Sequence, residues 1–305
     1  MITRVLRALK VLTPEDFRIL AVIERGMIMH LFVPVELISA YAEIPMKKTL
    51  KILRRLNELG LVQRQKISYT GYILTSWGYD CLALNALYKS GILSSISVSP
   101  IGVGKESDVY IGLTPSNKKV TVKIHRSGRI SFRQAKRKRL YLSDKRHISW
   151  LYRSRLSAKN EFTALKILHP FSFSVPIPVS WNRHIVVTEY YEGIELFRTP
   201  HLENPRETLK KIIEEVINIY KKGKIVHGDL SEYNIILLGK NTIEDKEFII
   251  FDWPQWLHSS HPLAKEYFVR DLTNVLKFFK RKYIPTLEIE HEMKNVLDMI
   301  NNKGE

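Results

Sequence analysis

Apolar positions repeat at helical spacing through the first ninety residues, then alternate in strand-like runs from about residue 98. Thr13-Pro14-Glu15-Asp16 has the form of a helix start: a capping hydroxyl, Pro at the first turn and acids at the positive end of the dipole. It predicts a helix to about Arg25, followed by a short helix across 34–42. A third helix begins near Met46, where Leu50, Leu53, Leu56 and Leu59 form a core-facing stripe that Gly60 ends. LVQRQKIS and GYILT predict two strands joined through Tyr69-Thr70-Gly71, then a helix to about Ser90, with the Ser-rich stretch GILSSISVSP as a linker.

Beyond the linker, IGVGKESDVY places Gly102 and Gly104 between extended apolar runs, and VTVKIH reads as a strand with Lys123 facing away from Val122 and Ile124. SAKNEFTALKILH predicts a helix whose stripe is Phe162, Leu165 and Leu168. HIVVTEYYEG is a buried strand running into a connector. A helix at about 205–221 buries Leu209, Ile212, Ile213, Val216 and Tyr220 and stops at Gly223, and EFIIFD is a strand ending in Asp252.

Three helices and a basic hairpin at the front resemble a winged helix. Lys47, Lys51, Arg54 and Arg55 share one outward face of its third helix, where they would meet phosphates; a solvated helix on a scaffolding domain is the plainer alternative.

The chemistry concentrates further on. Missing side chains at Gly102 and Gly104 would let backbone N–H groups approach phosphate, although a glycine hairpin turn explains a lone GxG equally well. Lys123 suits α/β-phosphates and Glu161 suits pairing with it. The backbone at Glu189 and Tyr191 would hydrogen-bond adenine, with Thr188 behind the base. In HGDLSEYN, Asp229 is placed to orient or deprotonate a nucleophile and Asn234 to reach Mg²⁺. Asp252, eighteen residues after Asn234, would share that cation, while His227 packs beneath the loop.

Composition narrows the classes. With 305 residues, 45% of them hydrophobic, the chain can bury more than one core. Its only cysteine, Cys81, excludes an intramolecular disulfide and reads as a small buried apolar residue. Neither a signal-peptide pattern nor about 18 consecutive apolar residues occurs, which predicts a cytoplasmic protein with no membrane partner. The formal net charge of +17 favours a polyanion. Most of it lies between Arg126 and Lys159, read as a flexible loop with twelve basic residues and one acid, Asp144. Arg133, Lys136, Arg137, Lys138 and Arg139 are its centre, and Tyr141, Trp150 and Tyr152 interleave as stacking partners for RNA bases.

GxGKESDVY, HGDLSEYN and Asp252-Trp-Pro-Gln255 together resemble the RIO-type atypical protein kinases, and the winged-helix front end resembles their second subfamily. The resemblance implies an α+β protein: a winged helix-turn-helix domain at 1–91, then a reduced, two-lobed kinase-like domain at 92–305. The N-lobe would span about 98–188, the hinge 189–193 and the C-lobe 194–305. It implies ATP with Mg²⁺ or Mn²⁺, autophosphorylation, and work in late maturation of the small ribosomal subunit, with its precursor, ribosomal RNA and assembly factors as partners and a free monomer. By motif, Lys123 and Glu161 would position ATP, Lys105 and Ser107 touch phosphates, Asp229 serve as catalytic aspartate, Asn234 and Asp252 hold metal, and Asp252 accept phosphate. Trp253 stands where Phe is more usual, and Phe251 where an aliphatic residue is; both read as packing changes. About fifty residues follow Asp252 without an APE-like segment, which makes an ATP-driven switch a better expectation than peptide phosphorylation. Two alternatives are a small kinase of a tRNA-modification complex, whose metal loop would read Asp-Phe-Gly, and a catalytically dead nucleic-acid-binding scaffold.

Overall fold

The computed structural model describes residues 2–66, 68–127, 149–239 and 246–301. The chain divides into two compact units, one of residues 1–158 with 181–185, the other of 159–180 with 186–305.

The first unit begins with α1 (Ile2–Leu9), α2 (Pro14–Gly26), strand β1 (Val33–Pro34), α3 (Val35–Ala42) and α4 (Met46–Glu58). Strands β2 (Val62–Lys66) and β3 (Thr70–Leu74) and helix α5 (Ser76–Lys89) follow. The expected start of α2 is a capping box: the Asp16 carboxylate accepts the Thr13 N–H at 2.6 Å, and Thr13 Oγ1 accepts the Asp16 N–H at 3.4 Å. Gly60, at φ +73°, ends α4, and Leu61 N–H reaches back to Leu56 O at 2.9 Å. The strands form an antiparallel sheet in the order β1-β3-β2.

Three expectations shift here. The buried face of α4 is Thr49, Ile52, Leu53 and Leu56, and Leu50 is exposed. Each residue turns a helix by roughly 100°, which carries Leu50 outside the arc that those four span. Thr70 and Gly71 belong to β3 and not to the turn, because Gly71 pairs with Gln65 and Pro34. The stretch 91–100 is not a free linker: Leu93 and Ile96 are buried, and β4 (Ser95–Ile96) pairs with Leu113 and Gly112.

The same unit continues with β5 (Gly102–Val103), β6 (Ser107–Leu113) and β7 (Lys119–His125), all antiparallel. Along β7, Val120, Val122 and Ile124 are buried while Thr121 and Lys123 are half-exposed, the alternation expected of a strand with one face on a core. The predicted loop from Arg126 to Lys159 is ordered where it is described. Arg126 and Ser127 are buried, and residues 149–159 lie in helix α6 (Ser149–Leu168). Arg133, Lys136, Arg137, Lys138, Arg139 and Tyr141 lie outside the described residues.

The second unit takes the rest of α6, whose buried residues there are Glu161, Ala164, Leu165 and Leu168; Phe162, expected in the stripe, is half-buried. Strands β8 (Pro178–Asn182) and β9 (Ile185–Glu189) lead to β10 (Gly193–Glu195) and helix α7 (Pro205–Asn218). The helix expected to run to 221 opens into a wider π-turn over Ile219–Gly223, closed by Lys224 in the left-handed conformation. Strands β11 (Ile225–Val226), β12 (Ile235–Leu238), β13 (Phe248–Ile250) and β14 (Leu257–His258) follow, with α8 (Ala264–Lys282) and α9 (Ile289–Asn301). One core built on Leu165, Leu168, Ile212, Trp253, Phe268, Leu272 and Phe279 joins helices α6 to α9 with strands β11, β12 and β13.

Candidate functional site

In the second unit, strand register explains how residues far apart in sequence converge. Ile235 pairs with Ile250 in the β12–β13 ladder, so Asn234, just before β12, and Asp252, just after β13, emerge at the same end. The backbone closes that end, with Phe251 N–H donating to Asn234 O at 2.9 Å. Asn234 Nδ2 then lies 3.4 Å from Asp252 Oδ2, and its Oδ1 accepts from Ser231 Oγ at 2.9 Å. Asp252 is held at φ +72°. That is the left-handed region, which Asp tolerates better than most residues but which still stores strain.

A second pair, β11–β14, brackets the HGD turn: Ile225 opposes His258 and Val226 opposes Leu257. Gly228 sits at φ +82°, where a Cβ would come within 2.4 Å of Gln255 O. Asp229 beside it is exposed, and its Oδ2 accepts from Gln255 Nε2 at 3.4 Å. His227 is structural, as its sequence position suggests. Its Nε2 meets Phe251 O at 3.0 Å, its Nδ1 accepts the Asp229 N–H at 3.3 Å, and its ring packs 4.4 Å from Trp253. Those partners specify a neutral ring with the proton on Nε2. Trp253 is buried and donates to Ile250 O at 2.9 Å, which makes it the packing residue that was expected.

Sequence reasoning missed the group beneath this turn. Asp271 on α8, almost wholly buried, accepts Gly228 N–H at 2.7 Å and Leu230 N–H at 3.2 Å. Arg270 donates to Gly228 O, and Asn274 Nδ2 to Leu230 O at 3.2 Å. Burial pushes the Asp271 carboxyl up to about 6, against the pull of those two N–H donors. The available signal was an acid inside the apolar stripe Phe268, Leu272, Val275. Asn160, next to Glu161, is also tied to the metal-loop segment, since Trp256 Nε1 donates to its carbonyl at 2.9 Å. Glu161 itself is buried.

In the first unit, the ladder aligns Gly102 with Val109 and Val109 with Lys123, one cross-strand row on the half-exposed face of the hairpin. Neither Gly102 nor Gly104 has a positive φ, and a Cβ on either would make only ordinary contacts, at 3.8 and 3.5 Å. Packing inside the chain therefore gives no reason for glycine at these positions. Lys105 is exposed and Ser107 half-exposed, and Gly104 N–H closes the turn on Ser107 O at 2.8 Å.

At the predicted connector, Glu189 N–H donates to Ile177 O at 3.0 Å, and the Tyr191 hydroxyl accepts the Ile177 N–H at 3.4 Å. Lys47, Lys51 and Arg54 are exposed on α4. Arg55 is exposed beside them and also pairs with the buried Asp16, 2.5 Å away.

Asn234 and Asp252 offer oxygen donors, the set a hard cation takes. Among the described residues no three His, Cys, Asp or Glu side chains cluster to cage a metal. Mg²⁺ characteristically takes one or two protein oxygens and completes its shell with phosphate and water. The residues present therefore fit Mg²⁺ held jointly with a nucleotide. No helix among the described residues is long and apolar enough to cross a membrane.

The chain matches the RIO domain over residues 108–292 and the Rio2 N-terminal domain over 9–90. The RIO-type serine/threonine-protein kinase Rio2 of Methanocaldococcus jannaschii is 42% identical over 276 residues, which are 89% of this chain and 98% of that protein. The serine/threonine-protein kinase rio2 of Schizosaccharomyces pombe is 37% identical over 308 residues, covering 98% and 88%. Among solved structures, the Rio2 kinase–ADP/Mg²⁺–phosphoaspartate complex from Chaetomium thermophilum matches with a TM-score of 0.83 and 33% identity, over 98% of this chain and 89% of that one.

Proposed function

The chain belongs to the RIO family of serine/threonine kinases, and on that premise we propose that it binds ATP with Mg²⁺ and passes the γ-phosphoryl group to Asp252. The observation that carries this reading is the convergence of Asn234 and Asp252, whose side chains lie 3.4 Å apart at one end of the β12–β13 ladder, with Asp252 at φ +72°. The Rio2 of Chaetomium thermophilum, crystallised with ADP, Mg²⁺ and phosphoaspartate, lends support from a relative.

Gly102, Gly104, Lys105 and Ser107 cradle the phosphates, Lys123 pairs with them, Glu161 keeps the positioning role that its motif implies, and the connector backbone at Glu189 and Tyr191 takes the adenine. Asn234 and Asp252 would hold Mg²⁺, which when bound would supply charge neutralisation for the phosphates. An Asp252 carboxylate oxygen attacks the γ-phosphorus. The bond from that phosphorus to the β–γ bridging oxygen breaks, and ADP leaves with the electron pair. Water, oriented by Asp229, then cleaves the mixed anhydride to phosphate and restores the carboxylate. Gln255, donating to Asp229 Oδ2, fixes that carboxylate for the second step.

The physiological setting proposed is a precursor of the small ribosomal subunit, its ribosomal RNA and its assembly factors. The exposed Lys47, Lys51 and Arg54 and the net charge of +17 support a polyanionic partner. Asp252-Trp-Pro-Gln255 and the RIO match set aside the tRNA-modification kinase. Multi-turnover ATPase assays with and without small-subunit precursors test the switch. Slow hydrolysis altered by the particle is expected; strong transfer to a free protein substrate without hydrolysis overturns it.

A further inference from the structure

Three residues past Lys123, Arg126 is buried, and its fork is spent inside the first unit. Nη1 and Nη2 donate to the two oxygens of Asp80 at 2.7 and 2.8 Å, and Nε donates to Asp108 at 3.1 Å. Its backbone N–H donates to Glu106 O at 2.6 Å, inside the turn that carries Gly104, Lys105 and Ser107. Asp80 belongs to α5, an element of the N-terminal module, and also meets His184 Nε2 at 2.7 Å. One arginine thus joins that module to both β6 and the glycine turn. A bidentate Arg–carboxylate pair fixes direction as well as distance. A buried pair is weak evidence for stability, since apolar residues of similar volume often serve as well. The directional role is the better account of four polar groups placed here.

We propose that Asp80 is a positioning residue for nucleotide binding: through Arg126 it holds the Gly104–Ser107 turn in the shape that receives phosphate, so the N-terminal module sets the affinity for ATP. This inference rests on the ATP-binding reading above.

The test compares wild type, D80N, R126K and L84A by titration with Mg·ADP, by the KM and kcat for ATP, and by hydrogen exchange at the Arg126 amide, all below each melting temperature. D80N keeps the shape of Asp80 and removes its charge. R126K keeps the charge, loses the fork and serves if D80N does not fold. L84A removes fully buried packing from the same helix and leaves the Asp80 and Arg126 side chains themselves in place. Expected for D80N and R126K are about tenfold increases in Kd and KM, kcat within about twofold, and faster exchange at Arg126. L84A should lower the melting temperature and leave KM alone. Wild-type affinity in folded D80N and R126K, or an equal rise of KM in L84A, overturns the inference. Failure of the wild type itself to bind Mg·ADP defeats the ATP-binding reading and the inference with it.

Discussion

Asp271 shows what single residues do at this site. Its carboxylate accepts two buried backbone N–H groups from the turn that presents Asp229. Truncation to Ala leaves both donors without partners, at roughly 1–3 kcal/mol each. Asp271→Ala should therefore lose roughly 2–6 kcal/mol of stability by chemical denaturation and most of its kcat. The same residue predicts opposite pH trends for activity and stability. Its folded pKa of about 6 lies above the ordinary value of 3.8. Its contribution to stability is therefore fully present below 3.8 and falls away as the pH rises through about 6. Activity runs the other way, because protonation removes an acceptor from the turn. The kcat profile should show an acidic limb near 6 that Asp271→Asn lacks. An identical limb in that variant would assign it to another group. Asp80 behaves conventionally. Burial opposes its ionisation, but Arg126 and His184 prevail and hold it at about 2. Its stabilisation is thus present above 3.8 and lost as the pH falls through about 2.

Elements show where linear patterns carry information and where packing overrides them. The capping box of α2, the Gly60 stop and the alternation along β7 are local, and each was readable from neighbouring residues. The register of α4 was not, because the Leu repeat misses Thr49, a polar residue buried through its hydroxyl bond to Ile44 O at 3.0 Å. Arg55 was likewise grouped with a phosphate-facing row, yet it binds Asp16 from α2, thirty-nine residues away. These two facts separate the functions of one helix. Arg55→Ala should lower the stability of the first unit by roughly 1–3 kcal/mol, with its melting temperature as the readout. Lys51→Ala should leave stability alone and reduce the salt dependence of RNA binding by about one unit of slope. In the second unit, Gly228→Ala combines a φ of +82° with a Cβ 2.4 Å from Gln255 O. That substitution should abolish activity while the core of Leu165, Ile212 and Leu272 still folds, which circular dichroism and an ATPase assay distinguish.

At the scale of the whole molecule, order along the chain was the most legible property. A glycine turn, Lys123, Glu161, a connector, HGDLSEYN and Asp252 follow one another as a kinase requires, and the RIO match spans all of them after the glycine turn. Residues that act by supporting others were not legible. Asp80, Arg126, His184 and Asp271 make their contacts across separations of 18 to 104 residues, and no local spacing announces them. The net charge of +17 indicated a kind of partner, whereas Arg126, counted with the solvated basic run, is buried against two acids. The account as a whole turns on Asp252 as the atom that receives phosphate. The most direct measurement is incubation with Mg²⁺ and γ-³²P-ATP, followed by hydroxylamine treatment and peptide mapping. Wild type should carry a hydroxylamine-labile label at Asp252, and Asp252→Asn, which tolerates the same left-handed backbone, should carry none. A label of equal amount in Asp252→Asn, stable to hydroxylamine, would contradict the account.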